Sequence, residues 1–360
     1  MSRLNSGKRF HRVAFMACFV VLASALSPRL VPAQADKTAS AEEGTANKRL
    51  IIIDDDLGML RSAVKKAGAY QYPWIPITDP DGGLELIYAL RDPEVKVLGV
   101  TCSMGCSATE VCMKSANRIL DLTGRTDVPV LEGARSPDEL GKPTEASRFI
   151  INTVLSHPGE VEIVATAPLT NIATALMHEP CLKKNWKKLH VGSGEFMGEL
   201  SERSDAYYAR FTGYKDLNLN VDPPAARYVL EYVDNFKLYP NEIMDDASLT
   251  LADRRKLKKA DSRLAEWVAR EINVALWLGA TFGKLAGYEG LYLHGVIPLA
   301  VAIEPGLAEP PQMMRFKMTE RKWGGYTFTL TDDPSVPERP VYVRLKNPEA
   351  IEKRVVARCR

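Results

Sequence analysis

Residues 50–58 read Leu-Ile-Ile-Ile-Asp-Asp-Asp-Leu-Gly, and this stretch decides the fold. The apolar run predicts a strand that is buried on both faces, as in parallel sheets. The acids follow at its carboxyl end, where open parallel sheets bind their ligands. Adjacent anions repel one another unless a cation or a shared proton relieves them. The stretch therefore indicates a site for a cation or an electron-poor centre, with a solvated acidic turn as the alternative.

The order of side chains along a strand predicts which of these acids work together. Successive residues of a strand point to opposite faces, so Asp54 and Asp56 are expected on one side and Asp55 on the other. We therefore expect Asp54 and Asp56 to form the working pair.

Strand and helix patterns alternate along the rest of the chain. They predict an α/β fold with a mostly parallel open sheet of about eight strands and helices on both faces. The ligand cleft is expected at the carboxyl ends of the strands that begin at Leu50, Val161 and Leu189. Ser107 and Glu110 have the spacing of a capping box, which predicts that a helix begins there. Other expected strands are 95–100, 128–131, 236–239, 326–330 and 341–345, and a long amphipathic helix is expected at 261–278.

The first residues have the pattern of a signal peptide. Residues 1–35 carry five basic groups and no acids, an apolar run from Val13 to about Leu26, and an Ala-x-Ala sequence that ends at Ala35. The apolar run is too short to span a membrane comfortably, so we expect cleavage after Ala35 and export to the periplasm or the medium. Residues 36–48 are then a flexible leader, and 49–360 a single α/β domain.

Charge and cysteine content restrict the partners. Of 47 basic groups, 42 remain after residue 35 beside 45 acidic groups, a net charge of −3. Nucleic acid is therefore not an expected partner, since no basic surplus remains to neutralise phosphates. Cys102 and Cys106 lie close in sequence but complete no zinc pattern, so a local disulfide or buried thiols are expected. The composition is compatible with a homo-oligomer.

Three segments together resemble the inosine-uridine preferring nucleoside hydrolase family. The acidic strand end at 54–58 is similar to the first half of the family's D-x-D-x-G-x-D-D motif. Residues 169–173, Leu-Thr-Asn-Ile-Ala, resemble the start of a family helix, and residues 216–226 resemble its E-F-N-x-x-x-D-P-x-A-A segment. The likeness runs from about Leu50 to about Val355, and these segments occur in the family's order.

The resemblance implies a Ca²⁺-dependent hydrolysis of the N-glycosidic bond of ribonucleosides. In that scheme Asp56 binds the metal and takes a proton from the attacking water, and the backbone carbonyl of Thr166 is a further ligand. Asp81 would bind ribose hydroxyls, and Asp216 with Asn218 would hold the sugar. This agrees with general chemistry, because a hard cation lowers the pKa of bound water and a carboxylate accepts its proton.

The chain also departs from the family. Gly82 and Ile297 stand where the family has metal-binding aspartates, and residues 59–78 form an insertion that splits the first motif. Asp54 and Asp79 are the nearby carboxylates that would complete a rearranged site. Two functions are therefore expected as alternatives: a nucleoside N-ribohydrolase with an altered metal site, or a non-catalytic nucleoside-binding, ribose-binding or interaction protein.

Several other side chains have both a functional and a structural interpretation. His294 precedes Ile297 by three residues and is expected to be structural rather than catalytic. Trp267 and Trp277 lie in the expected helix 261–278 and are expected in the core. Four aromatic residues either stack on a base or form a packed helix face, namely Tyr207, Tyr208, Phe211 and Tyr214.

Overall fold

The computed structural model describes residues 48–59, 79–196, 200, 216–278, 280–281, 290–322 and 324–360. These residues belong to one compact unit, Thr45–Arg360. The predicted signal peptide, residues 60–78 of the insertion and the aromatic residues at 207–214 lie outside the described residues. In the described part of the chain, no helix has both the length and the apolar character needed to cross a membrane.

Eight strands form the main sheet, and four others form two small antiparallel pairs. In chain order the strands are β1 Arg49–Asp55, β2 Val95–Cys102, β3 Val130–Glu132, β4 Val161–Ala165, β5 Lys188–Gly192, β6 Phe236–Tyr239, β7 Ser248–Leu249, β8 Leu291–Tyr292, β9 Gln312–Met314, β10 Phe316–Glu320, β11 Tyr326–Leu330 and β12 Arg339–Val341.

The helices follow the strands in alternation over most of the chain. They are α1 Pro80–Leu90, α2 Thr109–Thr123, α3 Glu145–Ser156, α4 Thr170–His178, α5 Leu182–Asn185, α6 Leu217–Asn220, α7 Pro223–Tyr232, α8 Asn241–Met244, α9 Leu251–Lys258, α10 Arg263–Glu271, α11 Asn273–Leu278, α12 Val296–Ile303 and α13 Pro348–Arg358.

The strand order places a cleft at the centre of the main sheet. The order is β3-β2-β1-β4-β5-β6-β12-β9, and all neighbours are parallel except β12 and β9. The chain winds outward from β1 in one direction and from β4 in the other. In open α/β sheets such a switch point leaves a crevice outside the carboxyl ends of the strands. The predicted α/β fold class, with its mostly parallel sheet, is confirmed.

The central strand β1 is buried on both faces, as its sequence predicts. Ile51 and Ile53 pack into the core on one side of the sheet, and Ile52 packs into the core on the other. All three side chains are fully buried. Each stabilises the fold by about 2 kcal/mol, so the position of the acids at the end of β1 is fixed by the packing that precedes them.

Local predictions differ from the structure in four places. The strand expected at 341–345 is instead β12 at Arg339–Val341, which shares only Val341 with the prediction. Helix α2 begins after Ala108 without a side-chain cap, so the capping box predicted at Ser107 is wrong. The predicted helix 261–278 is divided into α10 and α11 at Ile272. Trp267 lies in the core as expected, but Trp277 is 55% exposed, so the prediction of a core position is wrong for that residue.

Candidate active site

A small cavity of about 50 Å³ opens at the switch point between β1 and β4. It collects residues that follow β1, β4 and β5, together with residues from the starts of α1, α6 and α12. This volume is sufficient for a few waters or a hydrated cation. Its lining includes Asp56, Asp79, Asp81, Cys106, Thr166, Asp216, Asn218 and His294. The structure thus brings together Asp56, Asp81, Thr166, Asp216 and Asn218, all predicted from sequence.

Three carboxylates meet beside this cavity, and two of them, Asp56 and Asp79, line it. One oxygen each of Asp55, Asp56 and Asp79 lies within 4.8 Å of the other two. Asp55 and Asp56 are buried at the end of β1, and Asp79 is the partly exposed residue before α1. Oxygen atoms at such spacing suit a hard divalent cation, which takes oxygen ligands at about 2.4 Å.

Asp54 lies apart from this cluster, which differs from the expected pairing of Asp54 with Asp56. Its Oδ1 accepts hydrogen bonds from Thr101 Oγ1 at 2.6 Å and from Asn171 Nδ2 at 2.9 Å. These contacts tie Asp54 to β2 and α4. Asp55 takes the place that the sequence assigned to Asp54, and Asp79 joins the cluster as expected.

Several buried oxygens of the acidic residues lack protein partners. Asp55 Oδ2, Asp56 Oδ1 and Glu85 Oε1 have no hydrogen-bond partner among the described residues. The second oxygen of Asp56 accepts from the backbone N–H of Cys106. Buried polar atoms are normally satisfied, because leaving them unpaired costs about 1–3 kcal/mol. Orphaned oxygens that belong to clustered acids therefore fit a cation better than a packed protein core.

Burial makes the charged form of these acids unfavourable. Burial is the main cause that raises the pKa of Asp56 to about 8; backbone hydrogen bonds oppose it and the charge of Asp81 adds to it. Burial also raises the pKa of Asp55, together with the charges of Glu85 and Asp56. For Asp79 the causes are burial and Asp81. At neutral pH the cluster therefore holds protons unless a cation compensates its charge.

Glu85 is a buried acid that the sequence analysis did not single out. It lies in α1 with no exposed surface, and its Oε2 accepts from Thr166 Oγ1 at 2.8 Å. A Cβ atom at Gly295 would lie 2.8 Å from the same oxygen. The sequence did contain a pattern that could have indicated it: Glu85 is the only charged residue in the apolar run 84–90, and no cationic residue lies three or four positions away from it.

The amide of Asn218 joins two strand ends. Its Nδ2 donates to the carbonyl oxygen of Thr166 at 2.8 Å and to that of Gly192 at 2.9 Å. These carbonyls follow β4 and β5, so Asn218 fixes both strand ends on one wall of the cavity. A carbonyl oxygen has two lone pairs, and the Thr166 carbonyl therefore keeps capacity for one more partner.

Asp216 lies beside Asn218 and caps α6. Its Oδ1 accepts from the backbone N–H of Leu219 at 2.7 Å and from Ser193 Oγ at 3.3 Å. Burial raises its pKa, and backbone hydrogen bonds from Gly194 and Leu219 oppose that effect. Asp216 is thus a rigidly held acceptor at the edge of the cavity.

His294 also lines the cavity, a position that its place in the sequence did not indicate. It precedes α12, and its Nε2 lies 2.7 Å from Asp245 Oδ1. Burial lowers the pKa of His294, but Asp245 and the nearby acids outweigh burial and raise it to about 9. The ring stacks on Tyr292 at 5.5 Å. At neutral pH His294 is therefore a cation that can donate a proton.

The two replaced positions behave differently. Ile297 is fully buried in α12 and packs in the apolar core. Gly82, in the first turn of α1, lies against the carboxylates of Asp55 and Asp79. One position has thus joined the core, while the other still borders the acids.

Comparison with known proteins gives a consistent result. The family model described as "Inosine-uridine preferring nucleoside hydrolase" matches residues 77–353, so β1 lies before the matched range. The chain is 27% identical over 261 residues to a probable uridine nucleosidase 2 of Arabidopsis thaliana, covering 64% of this chain and 77% of that protein. It is also 27% identical to a pyrimidine-specific ribonucleoside hydrolase of Photobacterium profundum, covering 65% and 81%.

Solved structures share the fold at lower sequence identity. A plant nucleoside hydrolase superposes with a TM-score of 0.67 at 22% identity, covering 86% of this chain and 98% of that one. A purine-preferring ribonucleoside hydrolase from Gardnerella vaginalis superposes with a TM-score of 0.66 at 20% identity, covering 86% and 99%.

Proposed function

The chain belongs to the inosine-uridine preferring nucleoside hydrolase family, and from that premise we propose that it hydrolyses ribonucleosides to ribose and free base. The observation that supports this most is the cavity at the switch point. Asp56, which has one oxygen without a hydrogen-bond partner among the described residues, lines this cavity together with the cationic imidazole of His294. Such a pair can accept a proton from water and return one to a leaving base.

Asp56 is the proposed base. Water attacks the anomeric carbon of the ribose, the bond from that carbon to the base nitrogen breaks, and one water proton passes to Asp56. The bonding electrons leave with the base. Asp56 is positioned for this role because the N–H of Cys106 holds one of its oxygens and leaves the other without a partner among the described residues.

A hard cation fits beside Asp56, and Ca²⁺ is the proposed ion. Its ligands would include Asp56, Asp79 and the Thr166 carbonyl, and when bound it would lower the pKa of a bound water. The donor set consists of oxygens only, and burial disfavours its ionisation without a compensating charge.

The ribose and the base of the substrate are proposed to contact different residues, the ribose Asp81 and Asp216 and the base His294. Asp81 Oδ2 accepts from the backbone N–H of Gly295 at 3.0 Å, which orients its carboxylate in the cavity wall. Asp81 and Asp216 would accept hydrogen bonds from ribose hydroxyls. His294, held by Asp245, would protonate the leaving base.

A ribose-release assay tests this function. Purified protein would be stripped with a chelator and assayed on inosine and uridine, with and without added Ca²⁺, beside Asp56→Ala. We expect Ca²⁺-dependent ribose release that the substitution abolishes. If no ribose appears but nucleosides raise the melting temperature, the chain is instead a non-catalytic nucleoside binder. The absence of carboxylates at Gly82 and Ile297 favours that alternative.

We propose in addition that the protein is exported. The basic, apolar and Ala-x-Ala pattern of residues 1–35 supports a signal peptide cleaved after Ala35. Mass spectrometry of the exported protein should find Asp36 as its first residue. An intact Met1 would contradict this proposal.

A further inference from the structure

The start of α1 lies unusually close to the end of β1. Gly82 is the third residue of α1, and a Cβ atom built on it would collide with Asp55 Oδ2. The same atom would lie 2.9 Å from Asp79 Oδ2 and 2.9 Å from Leu57 Cβ. The space that a side chain at position 82 would need is therefore already filled, chiefly by the carboxylate of Asp55.

Asp55 is held firmly in that position. It is fully buried, and its Oδ1 accepts from the backbone N–H of Asp56 at 2.7 Å. Its backbone carbonyl accepts from the N–H of Ser103 at 3.0 Å and from Cys112 Sγ at 3.2 Å. Its remaining oxygen, Oδ2, is buried without a partner in the described part of the chain, and one carboxylate oxygen of Asp55 lies within 4.8 Å of one oxygen each of Asp56 and Asp79.

Position 82 is where the family motif places a metal-binding aspartate, and Asp55 occupies a position that the motif leaves open. We propose that Asp55 is a cation ligand that replaces the carboxylate lost at Gly82, so that the ligand has moved from α1 to the end of β1. This inference rests on the proposed cation site. Glu85 is another buried acid with an orphaned oxygen, but it is not part of the three-carboxylate cluster and instead accepts a hydrogen bond from Thr166.

The replacement makes a reciprocal prediction about the two positions. Either an aspartate at 55 or an aspartate at 82 can supply the ligand, but a side chain at 82 would displace the Asp55 carboxylate from its present position. Gly82 has no positive φ, so an aspartate there would meet no backbone strain. An acid in the first turn of a helix is also favourable. The shortest contact of a side chain at position 82 is with Asp55, so part of the cost of Gly82→Asp should disappear when Asp55 is shortened, while the contacts with Leu57 and Asp79 remain.

The experiment measures Ca²⁺ affinity by titration calorimetry on the chelator-stripped full chain. The variants are Asp55→Ala, Gly82→Asp, and the two combined. Asp222→Ala is the matched control, because Asp222 is equally buried but caps α7 and accepts from Thr170 Oγ1 at 2.6 Å. Circular dichroism verifies folding, and Asp55→Asn replaces Asp55→Ala if the latter does not fold.

We expect Asp55→Ala to weaken Ca²⁺ binding at least tenfold and Gly82→Asp to weaken it or lower the melting temperature. The double variant should bind Ca²⁺ more tightly than either single variant, and the control should bind Ca²⁺ normally. Wild-type affinity in both Asp55→Ala and Asp55→Asn, or a double variant no tighter than the single one, would overturn the inference. So would a wild-type protein that binds no Ca²⁺.

These outcomes are separate from those of the proposed function. If the protein releases ribose and the substitutions at Asp55 leave Ca²⁺ affinity unchanged, Asp55 is not a ligand, but the proposed hydrolase function still holds. Reciprocal Ca²⁺ binding without ribose release would support the ligand replacement and reject the hydrolase.

Discussion

Neutralising Asp56 should remove activity and at the same time stabilise the cation-free protein. Asp56→Asn keeps the size of the side chain and an oxygen that can accept from the N–H of Cys106. It removes the base, so ribose release should fall by about a hundredfold to ten-thousandfold, the usual contribution of a general base. It also removes one of three carboxylates whose oxygens lie within 4.8 Å of one another.

The size of the stabilisation follows from that spacing. Two full charges no more than 4.8 Å apart repel by about 3.5 kcal/mol or more at an effective dielectric constant near 20. The pKa of Asp56 is raised, by burial first, from 3.8 to about 8. The folded carboxyl therefore keeps a proton that the unfolded chain has released, and wild-type stability declines as pH rises through this window. The stability difference between Asp56→Asn and wild type should therefore appear above pH 4 and reach its full size near pH 8.

Thermal unfolding in chelator and in Ca²⁺ measures this effect. Without the cation the variant should melt roughly 5 °C higher than wild type at pH 8, and saturating Ca²⁺ should reverse the order. Asp54→Asn is the comparison, because burial raises the pKa of Asp54 only to about 6 and an asparagine can still accept from Thr101 and Asn171, so its neutralisation should stabilise the protein less than Asp56→Asn does. An Asp56→Asn variant that hydrolyses at the wild-type rate, or that is less stable without Ca²⁺, would refute the reasoning.

Three further outcomes are expected. Ca²⁺ at a hundred times its dissociation constant should stabilise stripped wild type by about 2.7 kcal/mol; a melting temperature that chelator and Ca²⁺ leave unchanged would contradict this. His294→Gln should lower kcat on inosine at least tenfold but spare a nitrophenyl riboside, whose leaving group needs no proton; equal losses would exclude proton donation. Burial raises the pKa of Glu162, yet His190 and Arg49 outweigh burial and lower this pKa to about 2. Glu162→Gln should therefore reduce the free energy of unfolding by roughly 2 kcal/mol above pH 4.5. Urea titrations should show that this loss of stability disappears as the pH falls toward 2.

Much of the fold could be predicted because its pattern is local. Alternating apolar strands and amphipathic helices specify a parallel sheet, and the apolar run at 51–53 required burial on both faces. Since parallel sheets bind ligands at the carboxyl ends of their strands, the acids after β1 could be assigned to the cleft from the sequence pattern. Thr166 and Asn218 were supplied only by the resemblance to the family.

The arrangement of the acids could not be predicted, because alternation holds only inside a strand. Strand β1 ends at Asp55, so the direction of Asp56 is set by the turn that follows and by the N–H of Cys106. The carboxylate of Asp54 is drawn away by Thr101 and Asn171, which are distant in sequence. Each of these contacts joins residues from different elements, and no local pattern records them.

His294 shows the same limit at a helix start. Its distance from Ile297 in sequence suggested that it would miss the site. The residues between β8 and α12 instead bring it to Asp245, which holds the ring in the cavity wall. A regular helix or strand would have fixed its direction, but a connection does not.

The most direct test of the central claim is hydrolysis of inosine and uridine in ¹⁸O-labelled water, followed by mass spectrometry of the products. The account predicts that wild type releases ribose carrying one ¹⁸O atom at the anomeric carbon and a free base without label, with no need for phosphate. Absence of labelled ribose in the presence of Ca²⁺, or release that requires phosphate, would contradict the assignment of this chain as a nucleoside hydrolase.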